Sequence, residues 1–175
     1  MSEKRIRSFI YLSIIIYIII LIITSEVLQS ISTAVTVTFV IRTCYYSFLW
    51  RFNPLEKAPR IYGKYSAPQQ SSFQHKEFTT NVTIRQTLNR ITVTETYAEA
   101  HYESLTAELI CTNKTWSLIY TYSAQPTIRF PDEKPDEPHH GTCILRIVDR
   151  NQMVGSYFTD RHKPTLGKIT LNRLP

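Results

Sequence analysis

Two hydrophobic patterns divide the chain. From Phe9 to Ile23 the residues are almost continuously aliphatic, with no charge and Ser13 as the polar interruption. With its flanks this run reaches the ~20 residues a helix needs to cross a bilayer core, and in lipid only a helix lets such a run satisfy its own backbone. A weaker apolar stretch, Ile31 to Trp50, contains several threonines and Arg42. Threonine is tolerated in a membrane helix because it can bond its own backbone. Arg42 is costly there unless it snorkels or faces protein. The pattern predicts two transmembrane helices, at about 8–25 and 31–50, turning around Ser25–Ser30. Tyr45, Tyr46, Phe48 and Trp50 would form an interfacial belt at the exit.

After residue 60 the pattern changes to a period of two, rich in β-branched and aromatic residues. It predicts eight strands at roughly 60–67, 77–87, 90–98, 104–112, 115–123, 141–149, 153–160 and 166–174. Phe78, Val82 and Ile84 share a face, as do Trp116, Leu118, Tyr120 and Tyr122, and Cys143, Leu145 and Ile147. The breaks at Asn89, Asn113-Lys114 and Arg150-Asn151-Gln152 are short enough for hairpin turns. Tight connections between many short strands imply an antiparallel meander, which eight strands can close into a barrel around one small ligand. The longest connection, Pro126 to His140, is proline-rich and charged. The expected organisation is a transmembrane hairpin over 1–52, a linker over 53–59 carrying Pro54 and Pro59, and an all-β domain over 60–175.

Charge orients this arrangement. Lys4, Arg5 and Arg7 precede the first span, and Arg51, Lys57 and Arg60 follow the second, while the turn has neither Lys nor Arg. The positive-inside rule places both termini and the β-domain in the cytoplasm. The alternative is a secretory signal in the first stretch, but its apolar run is long for one and no A-x-A site follows. The net charge of +6 permits an anionic ligand but is too diffuse for a DNA or RNA polymer. Cys44, Cys111 and Cys143 match no zinc or redox spacing. They read best as free thiols, although a Cys111–Cys143 disulfide is conceivable.

No catalytic constellation is visible. The chain has only four glycines, no phosphate-cradling loop, and neither an HExxH nor a GxSxG motif. His139-His140 reads as an exposed loop end, and Asp160-Arg161-His162 as a turn with a local Asp–Arg pair. Binding is the better expectation. Tyrosine faces accept a base and a guanidinium grips phosphate, which makes Tyr120, Tyr122, Tyr157, Arg146 and Arg161 candidates. Arg146 and Arg85 have the parity opposite to the apolar residues of their strands. Arg161 shares parity with Gly155, Tyr157 and Thr159.

The layout also carries a resemblance. Two N-terminal spans run through "LWRFNPLEKAPRIYGKY" into a β-domain ending in "HGTCILRIVDRNQMVGSYFTDRHKPTLGKITLNRLP". Over essentially the whole chain this resembles the two-transmembrane, β-strand-rich membrane effectors of bacterial cyclic-oligonucleotide anti-phage systems (CBASS). The most specific part is Gly155-x-Tyr157-x-Thr159-Asp160-Arg161 followed by Gly167-x-Ile169-x-Leu171. Gly63-Lys64-Tyr65 is similar to the Gly-x-aromatic start of lipocalin-type barrels.

The resemblance implies a lipocalin-like barrel that binds a cyclic dinucleotide made by a partner nucleotidyltransferase. No cofactor, metal or enzymatic activity is expected, since no catalytic set is visible in the residues. Binding would drive homo-oligomerisation of the spans in the bacterial inner membrane, with membrane disruption and growth arrest or cell death. Tyr157, Thr159 and Arg161 carry over as ligand-side candidates, with Gly155 and Gly167 as backbone positions. Arg42 would face neighbouring hairpins or a wet path. The competing expectation is a membrane-anchored lipocalin-like carrier of an apolar ligand, or a scaffold for a protein partner. An interior of Arg and Tyr would favour a nucleotide, and one of Leu and Val alone would favour a lipid.

Overall fold

The computed structural model describes residues 3–24, 27–72, 77–97, 100–124 and 139–175. The chain forms two compact units, residues 1–56 with 87–89, and residues 57–86 with 90–175.

The first unit holds α1 (Glu3–Thr24), α2 (Val27–Ser47) and a short 3-10 helix, Leu49–Phe52. Helix α2 begins four residues before the expected Ile31, because Val27–Ser30 contains no glycine or proline to delay it. The centre of the expected turn, Ser25-Glu26, lies outside the described residues. The hydroxyls of Ser13, Thr33, Thr36 and Thr43 each donate to the carbonyl four residues back, at 2.8–2.9 Å. Polar side chains are thereby satisfied within their own helix.

Ser30 and Ala34, one turn apart, are buried. Small residues at this spacing let helix backbones approach closely. At the other end of α2, Tyr46 stacks against Phe9 of α1 with ring centroids 5.4 Å apart, and Tyr45 meets Phe9 edge-on at 6.0 Å. The aromatic belt expected here is therefore partly turned inward: Tyr46 and Trp50 are buried, while Phe48 is exposed. Arg42 places its guanidinium 5.5 Å from the Tyr46 ring centroid and 5.9 Å from that of Phe9. Ile10, Ile14, Ile15, Ile18, Ile19, Ile22 and Ile23 are all exposed. Among the described residues no helix is long and apolar enough to cross a membrane.

The second unit is a closed antiparallel barrel. Its strands are β1 (Gly63–Ser71), β2 (Glu77–Gln86), β3 (Ile91–Tyr97), β4 (Ala100–Thr112), β5 (Thr115–Ala124), β6 (His139–Ile147), β7 (Gln152–Thr159) and β8 (Leu166–Arg173). Each pairs with the next, and β1 pairs with β8 to close the ring. Strand β1 runs four residues past the expected end at 67. Pro68 suggests a break there, but the strand passes through it: the proline keeps its place opposite Thr79 of β2, while the β8 ladder skips Ala67 and Pro68. Losing one N–H interrupts one side of a ladder without ending the strand. Asn113 and Lys114 turn with φ of 50° and 65°, the left-handed pair that a two-residue hairpin requires.

One end of the barrel is plugged. Ile61 is fully buried, and its N–H donates to Gln86 Oε1 at 2.8 Å, while Gln86 Nε2 donates to the Pro59 carbonyl at 2.9 Å. Arg173 crosses this end, with Nη2 donating to the Tyr62 carbonyl at 2.7 Å and its guanidinium over the rings of Tyr62 and Tyr65. Above this plug lies an apolar layer of Tyr65, Val82, Ile84, Val93, Leu118, Leu145, Met153, Ile169 and Leu171. All three cysteines are free thiols.

Candidate functional site

The inward face changes character toward the opposite end, where β1, β3, β5 and β7 finish. Of the connections that follow them, residues 73–76, 98–99 and 125–138 lie outside the described set, including most of the long proline-rich loop. Strand parity brings Gln69, Ser71, Thr80, Glu95, Tyr102, Tyr120, Tyr122, His139, Tyr157 and Thr159 to the interior here. The pairs Glu95–Tyr102, Tyr122–Gly141, Gly141–Thr159 and Tyr157–Gly167 stand opposite one another across the sheet.

Two tyrosines are seated on glycines. A Cβ built on Gly141 would come 2.2–2.6 Å from the ring and hydroxyl of Tyr122, and one on Gly167 would come 2.3–2.5 Å from those of Tyr157. Strands β5 and β7 thus each lay a tyrosine across a glycine of the strand that follows. Aromatic cover of a strand glycine fixes both ring plane and register. Gly155 has a different reason: a Cβ there would fall 1.8 Å from the Ile144 carbonyl oxygen, so the β6–β7 approach excludes any side chain.

Around these rings the polar groups are organised. Tyr122 lies 6.2 Å from Tyr120, 6.4 Å from Tyr102 and 6.5 Å from His139, centroid to centroid. Arg161 Nη2 is 3.3 Å from His139 Nε2. The Tyr157 hydroxyl is hydrogen-bonded to Ser71, and the deeper Tyr120 hydroxyl to the Cys143 thiol. Burial pushes the hydroxyls of Tyr120, Tyr122 and Tyr157 above the usual phenol range, so each stays a neutral donor. The Cys143 thiol is pushed up by burial to about 12.

Glu95 projects into the same layer. Gln69 Nε2 donates to its Oε1 and also to the Thr80 hydroxyl oxygen at 2.9 Å, and the Thr80 hydroxyl bonds to the Glu95 carboxylate. Burial raises the carboxyl, and the Thr80 and Gln69 donors pull it back. A buried carboxylate costs several kcal/mol unless such partners are supplied.

Among the candidates read from the sequence, Tyr120, Tyr122, Tyr157 and Thr159 point inward, and Arg161 sits half-buried beside His139. Thr159 shares a 2.7 Å hydroxyl contact with Thr165 and exchanges two further bonds with that residue, which closes the β7–β8 turn. Arg146 is exposed on the outer face and is not brought to this cluster: Leu145 and Ile147 take the inward parity of β6. Arg42 belongs to α2. The expected loop end at His139-His140 is instead the start of β6, with His139 buried and inward. In place of a local Asp–Arg pair, Asp160 accepts from the His140 backbone N–H at 2.5 Å and lies 3.5 Å from its ring. Glu95, Gln69 and His139 escaped the sequence reading. Glu95 was accessible, because it continues the Ile91-x-Val93 face of its strand.

The fold is a closed eight-stranded barrel with this polar cluster on its inward face. Residues 56–173 match the family described as Cap15, cyclic dinucleotide receptor domain, and the chain belongs to that family. The family is one of non-enzymatic receptors. The chain is also 30% identical over 148 residues to "CD-NTase-associated protein 15" of Staphylococcus schleiferi, an alignment covering 82% of this chain and 79% of the relative.

Proposed function

We propose that the barrel is the sensor of a CBASS membrane effector, taking up a cyclic dinucleotide from a partner nucleotidyltransferase. The observation that carries this reading is the inward cluster of tyrosines with Arg161, His139 and Glu95, in a domain of the cyclic dinucleotide receptor family. An apolar cargo is disfavoured, because a hydrocarbon ligand would offer no hydrogen-bonding group to the Glu95 carboxylate and the inward tyrosine hydroxyls.

The output in this reading lies in the helical unit. Helix α1 has 22 residues, and its exposed face is almost entirely isoleucine. At 1.5 Å per residue it spans about 33 Å. Among the described residues no helix is long and apolar enough to cross a membrane. The charge-free run Phe9–Ile23 would be expensive to leave in water, and this supports a membrane-embedded hairpin. Both termini would be cytoplasmic, and ligand binding would favour oligomers of the hairpin that disrupt the inner membrane. A ligand shifts such an equilibrium only through differential affinity for the two states. Confinement to a bilayer raises the effective subunit concentration, so a modest bias suffices.

The test is titration of the full chain in detergent with a panel of cyclic dinucleotides, followed by dye leakage from liposomes. Saturable binding with ligand-dependent leakage supports the reading, and no binding across the panel overturns it. In the same assay Arg42→Leu is expected to leave binding intact and reduce leakage. Unchanged leakage removes Arg42 from the output step.

A further inference from the structure

We infer that Glu95 reads the hydrogen-bond-donor edge of a guanine base, so that the ligand is a guanine-containing cyclic dinucleotide. This rests on the receptor reading above and adds base identity to it.

The argument starts from the direction of the hydrogen bonds. The amide nitrogen of Gln69 faces two oxygens, Glu95 Oε1 and Thr80 Oγ1. An amide oxygen in that position would oppose a carboxylate, so the nitrogen must be the group presented. Thr80 accepts from Gln69, and its one proton is then free to point to Glu95. Both neighbours therefore donate, and Glu95 is held as an acceptor. A carboxylate has about four lone-pair sites. Two donors leave acceptor capacity and no donor to offer.

The second element is the position of opposite charges. Tyr122 and Tyr157 each lie within electrostatic reach of both Glu95 and Arg161. Around the barrel Tyr122 of β5 stands between Glu95 of β3 and His139 of β6, which Arg161 contacts. A phosphate is repelled by the Glu95 carboxylate and gripped by the Arg161 guanidinium. The ligand must then turn its phosphates toward Arg161 and His139 and a base toward Glu95, with a tyrosine face to stack on.

Base chemistry does the rest. Guanine offers two parallel N–H donors, N1–H and the N2 amine, to a carboxylate. The adenine edge offers one amine beside the N1 lone pair, which faces the carboxylate with repulsion. A site built to bond a particular group rejects the analogue lacking it, because its buried polar atoms are then left unpaired.

The test uses the full chain in detergent with cyclic di-GMP, cyclic GMP–AMP, cyclic di-IMP and cyclic di-AMP. The wild-type protein is expected to prefer the first two over cyclic di-AMP by about 5- to 150-fold, the range of one good bidentate base contact. Cyclic di-IMP, which keeps N1–H and lacks the amine, should fall between. Glu95→Gln should abolish the preference while still binding cyclic di-AMP. Equal affinity of the wild type for all four ligands overturns the inference and leaves the receptor reading standing. Uniform loss of binding in Glu95→Gln also overturns it, since it assigns Glu95 a structural role. Absence of binding to any ligand overturns both.

Discussion

Tyr157 of β7 lies across Gly167 of β8 so closely that a Cβ on the glycine would come within 2.3 Å of the ring. The ring plane is thus set by the absence of a side chain on the neighbouring strand. The Gly-x-Tyr and Gly-x-Ile spacings near the C-terminus are two halves of one contact. Gly167→Ala is expected to push the ring off its seat, costing about 1–3 kcal/mol as overpacking does, and to weaken ligand binding as well. Urea denaturation and titration of the same variant check the two effects. A variant of unchanged affinity would show that the Tyr157 plane is irrelevant to the ligand.

Two of the arginines singled out from sequence should behave oppositely. Arg161 stands beside His139 at the polar end of the interior, whereas Arg146 is exposed outside. Arg161→Ala should weaken cyclic dinucleotide binding at least tenfold, in line with loss of a charge-assisted contact of about 1.5–3 kcal/mol. Arg146→Ala should leave affinity unchanged and move stability by no more than about 0.5 kcal/mol. Calorimetric titration of both variants decides the matter.

Most of the fold was legible because period-two alternation needs no tertiary knowledge. All eight strands follow from it, and so does the placement of Arg85 and Arg146 outside, since Ile84 and Leu145 claim the inward parity. Less of the candidate site was legible. In β1 the run Ser66-Ala67-Pro68-Gln69-Gln70-Ser71 looks equally polar on both faces. Only the closed register shows that Gln69 and Ser71 point inward and Ser66 and Gln70 do not. His139 was hidden by its neighbours in sequence. It follows a proline-rich charged segment, and nothing local announces that the strand has already begun.

Glu95 gives the barrel a definite pH response. Its carboxyl is raised in the folded state, chiefly by burial. The charged form is therefore the one that folding disfavours. Its contribution to stability is fully present below the unfolded carboxylate range and is lost as pH rises through the folded pKa. Glu95→Gln, which stays neutral, should gain stability relative to wild type between about pH 4 and pH 7, and parallel urea melts at the two values would show it. The guanine preference has the opposite sign. It needs the ionised acceptor, so it should fade as pH drops through the same pKa, with Tyr120, Tyr122, Tyr157 and Cys143 neutral throughout.

Thiol chemistry separates the cysteines. Cys111 is exposed on β4, whereas Cys143 is buried, bonded to Tyr120 and pushed up to about 12. The thiolate is the reactive species. A maleimide pulse at neutral pH should label Cys111 and spare Cys143, which should react only after denaturation. Peptide mass spectrometry reads both. Rapid labelling of Cys143 in the native protein would contradict the buried Tyr120–Cys143 contact.

The pairing of β1 with β8 leaves no strand of the barrel with an open flank. Sheet edges are the usual route by which crowded β-proteins zip together without instruction. A seamless ring has no such route. Among the described residues, contact between two such barrels would run through side-chain surfaces and not through open backbone.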